Sequence, residues 1–319
     1  MKKSRFLTKE QELIAAIKDW TGERLIGDDC ALLPYGQLVT NDALVEGTHF
    51  LVPEMSFEDL GWKSLAVNLS DIAAAAGRPR YAVVSLVLPS HIGKPQLREL
   101  YAGMVDCGRA FHCRIVGGNL ASGRQIVVST TVIGDVHEKG VMARSGACAG
   151  DIIIVTGDFG ASAAGLWMLQ HNQAGFSYCL QRHVRPAPRL CEGWFLVRQT
   201  AGRGAMMDTS DGLVDALVQI ADASAVSMEI DEAMLPIADE TRKVARLAKA
   251  DCLNWALYGG EDYELVAAVK PEDWQAMQSS SDCPFRAIGK VTAGDEVGLR
   301  LSDGSRQTLS LEGTFEHWR

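Results

Sequence analysis

Alternating and continuous apolar runs divide this chain into two α/β halves. In the first, LVTNDALV (38–45), YAVVSLVL (81–88), RIVGGNL (114–120) and QIVVSTTVIG (125–134) read as strands. Residues 57–76 and 95–112 carry helical periodicity. A polar, glycine-containing connection follows, HEKGVMARSGACAGD, and sets a boundary near 140. Beyond it come IIIVTG (152–157), a helix from about 161, a helix after Asp211, YELVAAVK (263–270) and a strand-rich tail. The pattern predicts an α/β (α+β) fold in two domains, 1–140 and 141–319, with no solenoid repeat. At the N-terminus, Leu13, Ile14, Ile17 and Trp20 fall on one face of an expected amphipathic helix. Thr8 with Gln11 fits a capping box at its start.

Charge narrows the functional classes. The formal net charge is −9, which disfavours a nucleic-acid partner, because such binders present a basic surface. No apolar run approaches the roughly 18 residues of a membrane span, so no membrane association is expected. The N-terminal segment carries Glu10, Glu12 and Asp19 and lacks the apolar core of a secretion signal. Eight cysteines occur without a CxxC unit. Reduced structural thiols in a cytoplasmic protein are the expectation.

Acidic residues then stand out where a fold alone would not place them. They occur in IGDDCA (Asp28, Asp29), TNDALVEGTHF (Asp42), NLSDIAAAAG (Asp71), AMMDTSDGL (Asp208, Asp211) and YGGEDYEL (Glu261, Asp262). Burying a carboxylate without a partner costs several kcal/mol, on the order of 2–7 even for a neutral polar group. Basic residues are sparse in these segments. A shared divalent cation would satisfy several acids at once, and all-oxygen ligands suit Mg²⁺. Plainer readings compete. Asp208 or Thr209 could cap a helix beginning near Gly212, Asp71 could face solvent, and YGGEDYEL could be a simple turn. In LIGDDCALL the two adjacent acids would point to opposite sides of an extended segment.

Phosphate-binding signatures of the usual kind, GxxxxGK[ST] and GxGxxG after a strand, are missing from the sequence. VGGNLASG and GDFGASAAG are glycine-rich stretches whose N–H groups could hold an anion, although tight turns are the commoner explanation. Arg144 in MARSGACAGD offers a fork donor suited to phosphate. Carboxylates and polyphosphate share a site only with cations between them, so metal-assisted phosphoryl transfer is the economical hypothesis.

Taken in order, IGDDCA, TNDALVEGTHF, NLSDIAAAAG, VGGNLASG, MARSGACAGD, DTSDGL and GGEDYEL closely resemble the thiamine-monophosphate kinase family. That family belongs to the superfamily of aminoimidazole ribonucleotide synthetase and selenophosphate synthetase. The resemblance implies two α/β domains, with N-terminal sheets pairing into a homodimer. It implies transfer of a phosphoryl group from ATP to thiamine monophosphate by a direct in-line reaction using several Mg²⁺ ions. By motif position it implies Asp29, Thr40, Asn41, Asp42, Asp71, Asp208 and Asp211 at the metals, with Asp71, Asp208 and Asp211 catalytic. It implies Gly118, Asn119, Arg144 and Ser210 at the nucleotide, and His49, Glu261 and Phe315 at thiamine monophosphate. Asp262 is the alternative to Glu261. Asn119 stands where many members have aspartate, so weaker binding of one ion is expected. The rival superfamily activities call for a reactive cysteine in a glycine-rich N-terminal segment or at the C-terminus, or for a DGVGTK-like stretch; this chain has DALVEGTHF and ends FEHWR. A nucleotide-binding relative that no longer catalyses is the other rival, and the retained acids argue against it.

Overall fold

The computed structural model describes residues 8–314. Its first sheet holds β1 (Ala31–Leu33), β2 (Gln37–Val45), β3 (Arg78–Leu88), β4 (Arg114–Ser122) and β5 (Val127–Asp135). The order is β1-β2-β5-β3-β4, with only β3 and β4 parallel. A parallel pair needs a crossover, and α3 (Lys94–Ala110) supplies it. VGGNLASG therefore lies largely within β4 itself, and the turn expected after a strand is corrected to an edge strand.

The second sheet contains β6 (Ile152–Val155), β7 (Ala205–Asp208), β8 (Ser227–Asp231), β9 (Leu265–Val269), β10 (Arg286–Thr292), β11 (Val297–Arg300) and β12 (Arg306–Thr308). Its order is β12-β11-β8-β10-β6-β9-β7. The helices of this half are α4 (Ala161–Gln170), α5 (Ser177–Val184), α6 (Leu190–Thr200), α7 (Leu213–Ser224), α8 (Asp239–Ala248), α9 (Cys252–Tyr258) and α10 (Pro271–Gln278). β7 and β9 are buried at every position; β9 is an unbroken apolar run, and β7 is apolar up to Asp208 at its end.

Helix α2 (Phe57–Ala74) joins the halves. The Ser56 hydroxyl caps it by accepting from the Asp59 N–H at 3.0 Å. It packs on the first sheet, on α3 and on α6 and β7. Leu65, Leu69 and Ile72 are fully or almost fully buried, each contributing about 1.5–3 kcal/mol. Its crossing with α3 is so close that a Cβ at Gly61 would lie 1.9 Å from the Leu100 carbonyl oxygen, and one at Gly103 would lie 1.8 Å from that of Glu58. Only glycine permits this approach.

The N-terminal helix α1 (Lys9–Thr21) has the expected capping box. Its apolar face is another matter: Leu13, Ile14, Ile17 and Trp20 all remain exposed. The helix sits at the periphery, held by Gln11 donating to Asp215 at 3.4 Å and by Lys18 donating to the Ile26 carbonyl at 2.7 Å.

Candidate active site

Three carboxylates from distant parts of the chain converge at one end of α2. Asp29 comes from the segment before β1, Asp71 from the last turns of α2, and Asp208 from the end of β7. One oxygen of each lies within 4.8 Å of the others. Neighbouring hydroxyls fix two of them: Thr40 donates to Asp71 Oδ2 at 2.5 Å and Ser70 donates to Asp208 Oδ2 at 2.6 Å. Arg144 donates to Asp29 Oδ1 at 2.7 Å. Asp29 Oδ2 and Asp208 Oδ1 are buried without a hydrogen-bond partner.

The electrostatics follow from that crowding. Burial pushes Asp208 up to about 7, and the Asp29 and Asp42 charges add to the effect. Asp71 is driven upward by burial and then by Asp42, Asp208 and Asp29. Asp211 is pushed up to about 8 by burial, Asp215 and Glu10. Acids held so far from their ordinary range, in a cluster with two orphaned oxygens, fit a hard divalent cation. They do not fit a self-sufficient structural cluster.

The adjacent acids of LIGDDCALL lie in a bend before β1 and not in the extended segment expected, yet they divide. Asp28 turns to backbone, accepting from the N–H groups of Asp29 at 3.1 Å and Arg144 at 3.3 Å. Asp29 joins the cluster. Within β2, strand alternation separates Thr40 from Asn41. Thr40 faces Asp71, whereas the Asn41 amide donates to Ser129 and Thr131 hydroxyls and the Thr130 carbonyl on the other side of β2. Asp42 returns to the inner face, its N–H donating to Asn68 Oδ1 at 2.9 Å.

A cavity of about 530 Å³ opens beside the cluster. Asp29, Asp42, Asp71, Arg144, Ser210 and Asp211 line it, and so do His49 and Glu261. Gly118 and Asn119 lie on the exposed edge strand β4 and do not line it. Phe315 lies outside the described residues. His49 Nδ1 accepts from the Val45 N–H at 3.0 Å, which leaves the ring proton on Nε2. Arg144 is already engaged by Asp29 and by Gln219 at 2.5 Å.

The paired acids of YGGEDYEL have different duties. Glu261 faces the cavity, held by Lys63 at 2.8 Å. Asp262 is buried and accepts from the N–H groups of Gly160 at 2.7 Å and Ser162 at 3.0 Å. It thereby occupies the N-terminus of α4, where GDFGASAAG seemed able to hold an anion. Helix capping does not account for Asp208 or Thr209. α7 has Gly212 at its N-cap with no side-chain cap, and Thr209 exchanges hydrogen bonds with the Glu264 backbone.

Sequence reasoning missed Lys63 and His183. A lone lysine in the apolar stretch GWKSLAVNL was the available signal for the first. Nothing local marked His183, which burial and Lys63 hold down to about 3, so it stays neutral.

Residues 27–136 match the AIR synthase related protein N-terminal domain family, and residues 149–302 match the corresponding C-terminal domain family. A thiamine-monophosphate kinase of Bacillus subtilis is 39% identical over 308 residues, covering 92% of this chain and 93% of that protein. The chain belongs to the thiamine-monophosphate kinase family. Within it, the enzyme of Escherichia coli K12 is 37% identical, covering 92% of this chain and 91% of the other. An AaThiL structure complexed with AMPPCP and TMP superimposes with a TM-score of 0.87 at 32% identity, covering 98% of this chain and 97% of that one. A hydrogenase maturation protein HypE bound to ATP shares the fold, with a TM-score of 0.72 at 19% identity.

Proposed function

We propose that this chain carries out its family's reaction, ATP-dependent phosphorylation of thiamine monophosphate to thiamine diphosphate, in the cavity beside α2. The carrying observation is the convergence of Asp29, Asp71 and Asp208, with two buried oxygens unpartnered, on a cavity that also holds His49 and Glu261.

Asp29, Asp71 and Asp208 would hold Mg²⁺, with Asp42 and Asp211 beside them and the Thr40 hydroxyl fixing Asp71. The bound ions would supply charge neutralisation between ATP and a second phosphate. The chain's own groups do the positioning. Thr40 and Ser70 lock the carboxylate orientations, and Asp28 anchors the backbone of Arg144. Arg144 exchanges its contact with Asp29 for the nucleotide phosphates, alongside Ser210. The His49 Nε2–H donates to the acceptor phosphate, and the Glu261 carboxylate faces the cationic part of thiamine. The acceptor is already a phosphate oxygen, so no strong general base is required and catalysis is mostly positioning and charge neutralisation.

The same proposal extends to assembly. Residues 1–140 form the metal-binding and dimerisation domain, and residues 141–319 complete the nucleotide and substrate site. Tyr81, Val83, Val116 and Leu120 are exposed on β3 and β4, and β4 is an unpaired edge. Such an edge seeks a partner, which supports a homodimer formed through the first sheets; there β4 would bring Gly118 and Asn119 to a partner's site. Eight free cysteines support a cytoplasmic setting. No helix among the described residues is long and apolar enough to cross a membrane.

Purified protein incubated with ATP, Mg²⁺ and thiamine monophosphate tests the reading. Thiamine diphosphate and ADP in equal amounts are expected. ADP without thiamine diphosphate would mean the acceptor is wrong.

A further inference from the structure

Lys63 is fully buried, one of the largest side chains among the described residues to be so. An ammonium in the middle of a buried helix is expensive to desolvate, and such a group persists only with a specific partner. The partner here is Glu261, whose Oε1 lies 2.8 Å from Nζ. The distance is that of an ion pair, although the alignment falls short of a hydrogen bond.

Glu261 is itself held in an unusual way. Its φ is +55°, a left-handed conformation rare outside glycine, and its N–H donates to the Ser210 carbonyl at 2.6 Å. The backbone is thus bent against the loop after β7 while the side chain is gripped from α2. His183 Nδ1 approaches Glu261 Oε2 at 3.4 Å but bonds the Ser162 hydroxyl at 3.0 Å. Since His183 stays neutral, Lys63 is the full positive charge that sits on this carboxylate. Lys63 does not line the cavity, whereas Glu261 does. Asp71 lies eight residues further along α2, about 12 Å by helical rise. One helix therefore references both the carboxylate cluster and the carboxylate at the other wall.

We propose that Lys63 is a positioning residue for substrate binding, holding the Glu261 carboxylate against the cavity where it meets the permanent positive charge of the thiamine moiety. The inference rests on the functional reading above. Lys63 acts through Glu261 and touches no substrate atom. Without the ammonium, the carboxylate is free to leave the wall or to take up a proton, and either loses the attraction.

Steady-state constants for the full chain, with Lys63→Met, Glu261→Gln and the double variant, test this. Lys63→Met is expected to raise KM for thiamine monophosphate about 10- to 100-fold, as removal of an orienting partner does elsewhere. KM for ATP should stay within about twofold, since the lost interaction is confined to one substrate. The double variant should show the KM of Glu261→Gln and no further rise, because both changes break one interaction. Should a single variant fail to fold, the double variant still decides, since removing both charges strands neither: it should fold with a raised KM for thiamine monophosphate and an ATP KM within about twofold. An unchanged KM for thiamine monophosphate in either single variant, equal rises for both substrates, or a further rise in the double variant would overturn the proposal. Thiamine diphosphate formation by the unaltered chain tests the functional reading separately, so the two can fail independently.

Discussion

Two groups of buried acids lie within this fold, and they are treated in opposite ways. Glu264, fully buried, accepts from the Thr156 hydroxyl at 2.6 Å and from Arg189 through Nε at 2.7 Å and NH2 at 2.5 Å, and Arg182 bonds it as well. Two guanidinium groups surround one carboxylate. At the end of α2, three carboxylates share one arginine and two hydroxyls, and two of their oxygens have no partner. In the first group the carboxylate is fully matched by positive charge, and the one atom left without a partner is a donor, Arg182 Nε. The second is built with a deficit of positive charge, and that deficit is what a bound cation requires. Burial of acids alone therefore does not mark a site; uncompensated burial does.

The contrast can be broken at either end. Asp71→Asn and Asp208→Asn should lower turnover about 10³-fold, the equivalent of several kcal/mol of transition-state stabilisation. Their folds should persist, because each substitution relieves repulsion. A folded variant turning over at a near-native rate in a coupled ADP assay would refute the assignment. Glu264→Gln should do the reverse. It strands the buried Arg182 guanidinium and takes the half-buried Arg189 from its main partner, costing about 3–5 kcal/mol by chemical denaturation, while the fraction that folds keeps its Mg²⁺ dependence.

A smaller effect concerns pH. Asp208 and Asp211 titrate near about 7 and about 8 in the folded chain, against 3.8 ordinarily. Acids raised in this way give their full relative stability only below the unfolded value, and that stability is lost as pH climbs through the folded values. The metal-free protein should therefore melt at lower temperature near about pH 8 than near about pH 5.5, and Mg²⁺ should raise melting temperature more at the higher pH. Equal gains at both values would separate the carboxylates from cation binding. The smallest contrast is between neighbours. Asp29→Asn should raise the Mg²⁺ concentration for half-maximal activity about tenfold or more, Asp28→Asn by less than about threefold; equal shifts would show that the two acids do not divide their duties.

Much of this was legible in the chain, for physical reasons that differ by element. The strands and α2 could be read because burial on one or both faces imposes a period. The choice of Asp29 over Asp28 came from motif position, and the extended segment expected there is a bend. Three features were not legible. The α1 stripe of Leu13, Ile14, Ile17 and Trp20 has the periodicity of a buried face, yet periodicity does not say whether a partner surface is present. The strand over 114–120 is borne out by β4, but the glycines of VGGNLASG suit a tight turn as well, and the sequence did not say that the strand runs on to Ser122. Lys63 was hidden because its partner lies almost two hundred residues away, in a loop whose backbone conformation only the assembled halves impose.

The Asp262 cap on α4 has a consequence for how such proteins are compared or redesigned. A glycine-rich loop leading into a helix is commonly scored as a vacancy for phosphate. Here the vacancy has a tenant belonging to the same chain, eclipsed from any local search by a hundred intervening residues. Anyone grafting a phosphate site onto this scaffold would have to evict that carboxylate first, and a search for nucleotide loops would do well to ask whether an acid elsewhere in the chain has already moved in.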